Sequence, residues 1–183
     1  MIMTAVESDV RCLLSTDFAA PIEDRWFEDY VPGAVYEYGY RTVTEPEIRC
    51  FAQQFDPQPI HTDPAFAAAG PFHGLIASGW HTGSILMRLY ADHYLSRSAS
   101  LASPGIDELR WATPLRPGDR LRLRTTVVEV RPSRSKTDRG MIKTRAELLN
   151  QDDGSPISLL FMNILRRRPL GRMSTTPTLA YGG

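Results

Sequence analysis

Three observations in this 183-residue chain predict an α+β domain in which an antiparallel sheet curls around one long buried helix. Apolar residues spread around most of the circumference of residues 74–94, and a helix apolar nearly all round belongs inside a fold. Beyond residue 120 the apolar period changes to two, the mark of half-buried strands. Turn residues then separate those strands at hairpin distances, most plainly Asp152-Asp153-Gly154. Consecutive antiparallel strands can cover such a helix from one side to the other.

The elements follow in order. Residues 1–30 show no periodicity and are expected to form an extension packed on a domain spanning 31–168. Val35 to Thr42 is rich in β-branched and aromatic residues suited to a strand. Thr44-Glu45-Pro46-Glu47 has the form of a capping box with proline in the first helical turn, so a helix should run to about Phe55. Asp56-Pro57 stops it, because a residue before proline avoids helical angles. Asp63-Pro64 opens another short helix through Ala69, and Gly70-Pro71 ends that one. The long helix, read as 74–94, carries Trp80, Met87 and Tyr90 at helical spacing as core residues. Its small residues Ala77, Ser78, Gly79 and Gly83 let strands approach, and each glycine costs about 1 kcal/mol of helix propensity. Leu121, Leu123, Thr125 and Val127 alternate with arginines, and Val128 and Val130 shift that phase as a bulge would. Two more strands are expected over 141–150 and 156–166, with residues 133–140 as a looser connection. Residues 169–183 read as a Ser/Thr/Pro/Gly tail.

Composition narrows the function. Hydrophobic residues make up 42% and charged residues 23%, ordinary values for a globular protein. Lys plus Arg and Asp plus Glu number 21 each, so no overall basic balance points to nucleic acid. No apolar stretch is long enough to cross a bilayer, and the first residues lack a signal-peptide pattern, which makes the cytoplasm the default location. Cys12 and Cys50 do not make a disulfide framework. His61, His73, His81 and His93 are not spaced as zinc ligands on a helix, and no metal is expected. No glycine-rich phosphate loop follows a strand, which argues against a dinucleotide site.

The chemistry concentrates in Phe55-Asp-Pro-Gln-Pro-Ile-His-Thr-Asp63. Asp56 and His61 are a carboxylate and an imidazole suited to holding and activating one water molecule. In an extended chain they would stand roughly 17 Å apart, and on a continuous helix they would diverge. Pro57 and Pro59 favour a tight turn that aims both at one point. Taken singly, Asp56 would only organise a turn, His61 would be a structural hydrogen-bonding residue, and Ser78 on a buried helix would only permit packing. Asp63 is expected to cap the next helix.

Asp56-Pro-Gln-Pro-Ile-His61-Thr-Asp63, Phe72-His-Gly-Leu-Ile-Ala-Ser-Gly79 and Arg110-Trp-Ala-Thr-Pro-Leu-Arg-Pro-Gly-Asp119 together resemble the MaoC-like dehydratases, among them NodN-like proteins and (R)-specific enoyl-CoA hydratases. Order and spacing agree over roughly residues 30–168. The resemblance implies a hot dog fold, an antiparallel sheet wrapped around a long central helix. It implies a homodimer or an assembly of dimers. It also implies an acyl-CoA or acyl-carrier thioester substrate, with CoA only as part of that substrate and no separate cofactor. It places Asp56 and His61 at the hydratase dyad and Ser78 beside it. Gln58 stands where hydratases commonly carry Asn, and Phe55 where they often carry Gly. The expected activity is a hydro-lyase reaction, reversible hydration of a 2-enoyl thioester. The alternatives are an acyl-CoA thioesterase and a non-catalytic acyl-thioester binding module. The start of the long helix would supply backbone N–H groups to the thioester oxygen, with Gly74 the first candidate donor and Gly79 the second.

Overall fold

A computed structural model of the chain describes Arg11–Cys12 and residues 17–169; the rest of the N-terminal extension and tail expected above lies outside the described residues. The described residues form six strands: β1 (Arg11–Cys12), β2 (Val35–Thr42), β3 (Ser100–Arg110), β4 (Arg120–Pro132), β5 (Arg139–Leu149) and β6 (Ile157–Arg166). They form one antiparallel sheet in the order β1-β2-β4-β5-β6-β3. The helices are α1 (Glu45–Phe55), α2 (Pro59–Thr62), α3 (Pro64–Ala69) and α4 (Gly79–Leu89), and α4 continues into a wider turn at Tyr90–Tyr94. This is a hot dog fold, with α4 lying in the curl of the sheet. Contacts along its length show the seating. A Cβ on Gly83 would touch Ile157 Cδ1 at 3.7 Å, and the Tyr90 and Phe161 rings lie 5.0 Å apart. Two buried phenols find polar partners inside the core, Tyr90 on Asn163 at 2.7 Å and Tyr94 on Thr144 at 2.9 Å, as such groups must.

The segment before β2 closes the far end of α4. Arg25 donates to the carbonyls of His93 and Tyr94, while Trp26, Phe27 and Tyr30 are buried in the core. Thr44 and Glu47 complete the capping box of α1, and Asp63 caps α3 through the Ala65 and Phe66 amides. The bulge expected near Val128 is a register shift between Val127 and Glu129. None of the described helices is long and apolar enough to cross a membrane.

Four expectations are corrected. The central helix begins at Gly79, not Gly74, because Leu75, Ile76 and Ala77 are buried as non-helical chain pinned on both sides. Ile76 N–H bonds Ile60 O at 3.4 Å, and Ala77 N–H bonds Leu115 O at 2.8 Å. An apolar run of that length looks alike in helix and strand. Trp80 and Met87 are not core: they are 62% and 40% exposed, on the face of α4 that the sheet does not cover, whereas Tyr90 is fully buried. Residues 100–110, for which composition and periodicity predict no element, form strand β3. The stretch between Asp56 and Asp63, read as a loop, contains the single helical turn α2.

Candidate functional site

Local backbone rules bring the polar residues together. Helix α1 ends at Phe55 because Pro57 forces Asp56 out of helical angles, and Asp56 adopts φ −154°. Gln58 is extended, its amide bonding back to Asp56 O at 2.8 Å, and Pro59 opens α2 at the position where its missing N–H costs nothing. His61 then faces back across the bend, with its Nε2 3.5 Å from Asp56 Oδ2. That separation is too long for a good hydrogen bond and suits a shared water, which can reach both atoms at once.

The other polar contacts fix the state of each group. Asp56 Oδ1 accepts from Gln58 Nε2 at 2.7 Å, and Oδ2 accepts from Ser78 Oγ at 2.7 Å. The Gln58 bond first and the Ser78 bond second, aided by the nearby His61, hold the Asp56 carboxyl below its ordinary range, so it is ionised near neutrality. His61 is buried, and its Nδ1 lies 2.9 Å from the Ile76 carbonyl oxygen. A carbonyl can only accept, so Nδ1 carries a hydrogen, and Nε2 is the ring atom that faces Asp56. Ser78 is fully buried and serves twice: it donates to Asp56 and accepts the Trp80 N–H as the N-cap of α4. The dyad is therefore hydrogen-bonded directly to the tip of the central helix.

The two glycines differ in what their amides can do. Gly74 lies ahead of the helix at φ +149°, and its N–H already bonds Ala67 O at 3.0 Å. Gly79 is the first helical residue, a position whose N–H has no partner within a helix. Gly79 also sits under Trp111, since a Cβ there would come within 2.6 Å of the indole, whose Nε1 donates to Gly79 O at 3.0 Å. Sequence reasoning missed Trp111 and the Ile76 carbonyl. The first lay inside a quoted motif without a role, and a backbone carbonyl leaves no trace in residue type. Among the described residues no three His, Cys, Asp or Glu side chains converge to hold a metal ion.

With this geometry in hand, comparison with known proteins gives a consistent result. The family model described as "MaoC like domain" matches residues 29–148. A 3-hydroxyacyl-thioester dehydratase Z of Mycobacterium tuberculosis is 35% identical over 109 residues, 58% of this chain and 72% of that protein. The crystal structure of a MaoC-like dehydratase from Rhodospirillum rubrum superposes with a TM-score of 0.75 at 36% identity, over 80% of this chain and 99% of its own. An unliganded (R)-hydratase from Pseudomonas aeruginosa, at 23% identity and a TM-score of 0.60 over 86% of this chain and 96% of its own, shares the fold.

Proposed function

Because the chain belongs to the MaoC-like dehydratase family, we propose that it is a hydro-lyase acting on acyl thioesters, adding water to a 2-enoyl group and removing it from a 3-hydroxyacyl group. The observation that carries this reading is the meeting of an ionised Asp56 and an oriented His61 beside the capped tip of α4. In hydration, the water held between them gives its oxygen to the β-carbon as one of its protons passes to His61 Nε2. The electron pair of the double bond shifts toward the α-carbon and the thioester oxygen. The imidazolium then returns a proton to the α-carbon, and the second proton of the water stays on the new hydroxyl. Asp56 is a weak base in this setting; it orients the water and balances the imidazolium charge. The Gly79 N–H, at the positive end of the helix dipole, is the proposed donor to the thioester oxygen. CoA enters only as part of the substrate.

Dimerisation through β3 belongs to the same proposal, since this eleven-residue strand pairs with β6 on one side and meets no strand on its other edge among the described residues. The direct test is loss of ultraviolet absorbance as crotonyl-CoA and longer or branched enoyl-CoAs are hydrated. Asp56→Asn and His61→Ala should each lower the rate by about 10²- to 10⁴-fold. Release of free thiol in place of hydration would mean a thioesterase, and an inert protein across all substrates would end the enzymatic reading.

A further inference from the structure

Most cationic side chains in the described part of the chain are neutralised by a carboxylate, as Arg41 is by Glu47, Arg88 by Asp92, Arg122 by Glu37 and Arg168 by Asp29. Arg116 is held differently. Its Nη2 donates to the Phe72 carbonyl at 2.6 Å, its Nη1 lies where a Cβ on Gly74 would be 3.3 Å away, and no acidic group meets it among the described residues. Its backbone is fixed as well, because the Arg116 amide bonds Asp119 Oδ2 at 2.8 Å. A guanidinium has five donors, and a neutral carbonyl consumes little of its charge. Arg120 and Lys136 also meet no carboxylate among the described residues, but neither is placed as Arg116 is. Arg120 is stacked on the Tyr40 ring at 3.8 Å, and Lys136 lies in the β4–β5 connection, at the end of the sheet away from the dyad.

Position singles out Arg116. Leu115, its neighbour, accepts the Ala77 N–H, and Ala77 precedes Ser78, which bonds Asp56. The stretch from Gly74 to Ser78 thus runs from the guanidinium to the dyad, and four residues span at most ~14 Å. A pantetheine arm bridges a comparable gap between its thioester sulfur and its terminal phosphate. We infer that Arg116 anchors the phosphate of a phosphopantetheine arm, the group shared by CoA thioesters and by acyl chains borne on a carrier protein. The inference rests on the hydration reading for its distance and gives the same site a recognised substrate class. Planar guanidinium donors match phosphate oxygens in pairs, and the Phe72 carbonyl keeps the fork from swinging away.

The test compares crotonyl-CoA, crotonyl-phosphopantetheine and crotonyl-pantetheine, the last without a phosphate. Arg116→Gln should lower kcat/KM about tenfold for both phosphorylated substrates, through KM, and leave the pantetheine thioester within about twofold. Arg116→Lys should recover part of the loss. Equal losses on all three would make Arg116 a mere tie to the Phe72 segment, and a loss confined to CoA would assign it to the nucleotide instead; either result overturns the inference, as does no change. Calorimetric titration with phosphopantetheine itself separates this from failure of the hydration reading. An inert protein that still binds phosphopantetheine about tenfold more weakly as Arg116→Gln would keep the anchor and lose the chemistry.

Discussion

A single carboxylate organises the site at the scale of residues. Asp56 accepts one hydrogen bond on each oxygen, from Gln58 and Ser78, before any water or substrate arrives. Both bonds favour the charged form, so its pKa is depressed. The sign follows from linkage. A carboxyl more acidic in the folded state adds stability above its unfolded pKa, and that contribution is lost as pH falls through the folded value. Ser78→Ala removes one of these bonds together with the N-cap of α4. The cap should cost about 1 kcal/mol of stability. The Asp56 carboxyl itself should titrate at higher pH in Ser78→Ala, and Gln58→Ala should move it the same way, as read from its carboxyl carbon by NMR. An Asp56 titration unchanged in both variants would show that some other group holds its carboxyl down.

At the scale of elements, α4 carries a second imidazole whose burial has a measurable consequence. His81 is buried, its Nδ1 has no hydrogen-bond partner among the described residues, and its ring stacks on Phe51 at 4.8 Å. Burial pushes its pKa down to about 4, with nearby Glu47 opposing and Arg41 adding to the shift. Between that value and the ordinary 6.5 the unfolded chain binds a proton that the folded chain refuses, so stability should fall as pH drops through this window. His93, also pushed down by burial, adds to the slope. His81→Phe keeps an aromatic ring against Phe51 and removes the titration. Its Tm should therefore depend less on pH between about 4 and 6.5 than that of the parent protein, and equal slopes would refute the assignment. The elements also show what a sequence can disclose. Strand β2 and both ends of α1 were legible because a capping box, a proline and β-branched residues act locally. Strand β3 was not, since Ser-Leu-Ala-Ser-Pro-Gly-Ile-Asp-Glu-Leu-Arg on a sheet edge has neither alternation nor strand-forming composition. The convergence of Asp56 and His61 was legible through two prolines. The Ile76 carbonyl that sets the tautomer, Trp111 over Gly79 and the tie from Arg116 to Phe72 depend on tertiary placement and have no signature in residue spacing.

For the whole molecule, the asymmetry of the sheet matters most. One outer strand is the two-residue β1; the other is β3, whose open edge carries exposed Ala102, Ser103, Pro104 and Ile106. Trp111, directly after β3, is 48% exposed and packs edge-to-face on the still more exposed Trp80, so apolar surface continues from the strand to the tip of α4. Long unpaired edges recruit another strand, and a second copy of β3 running antiparallel would satisfy both by symmetry. Sedimentation should accordingly give twice the mass of one chain at micromolar concentration. Ile106→Glu places a charge in that seam without touching the dyad, and leaving it desolvated and unpaired should shift the equilibrium to single chains with an unchanged circular dichroism spectrum. Because β3 leads straight into Trp111, which presses on Gly79, loss of the dimer should also lower kcat/KM, and dilution of the parent protein should reproduce the loss. Full activity in a monomeric Ile106→Glu variant would show that one chain holds a complete site. The exposed indoles would then serve the substrate itself and not the subunit contact.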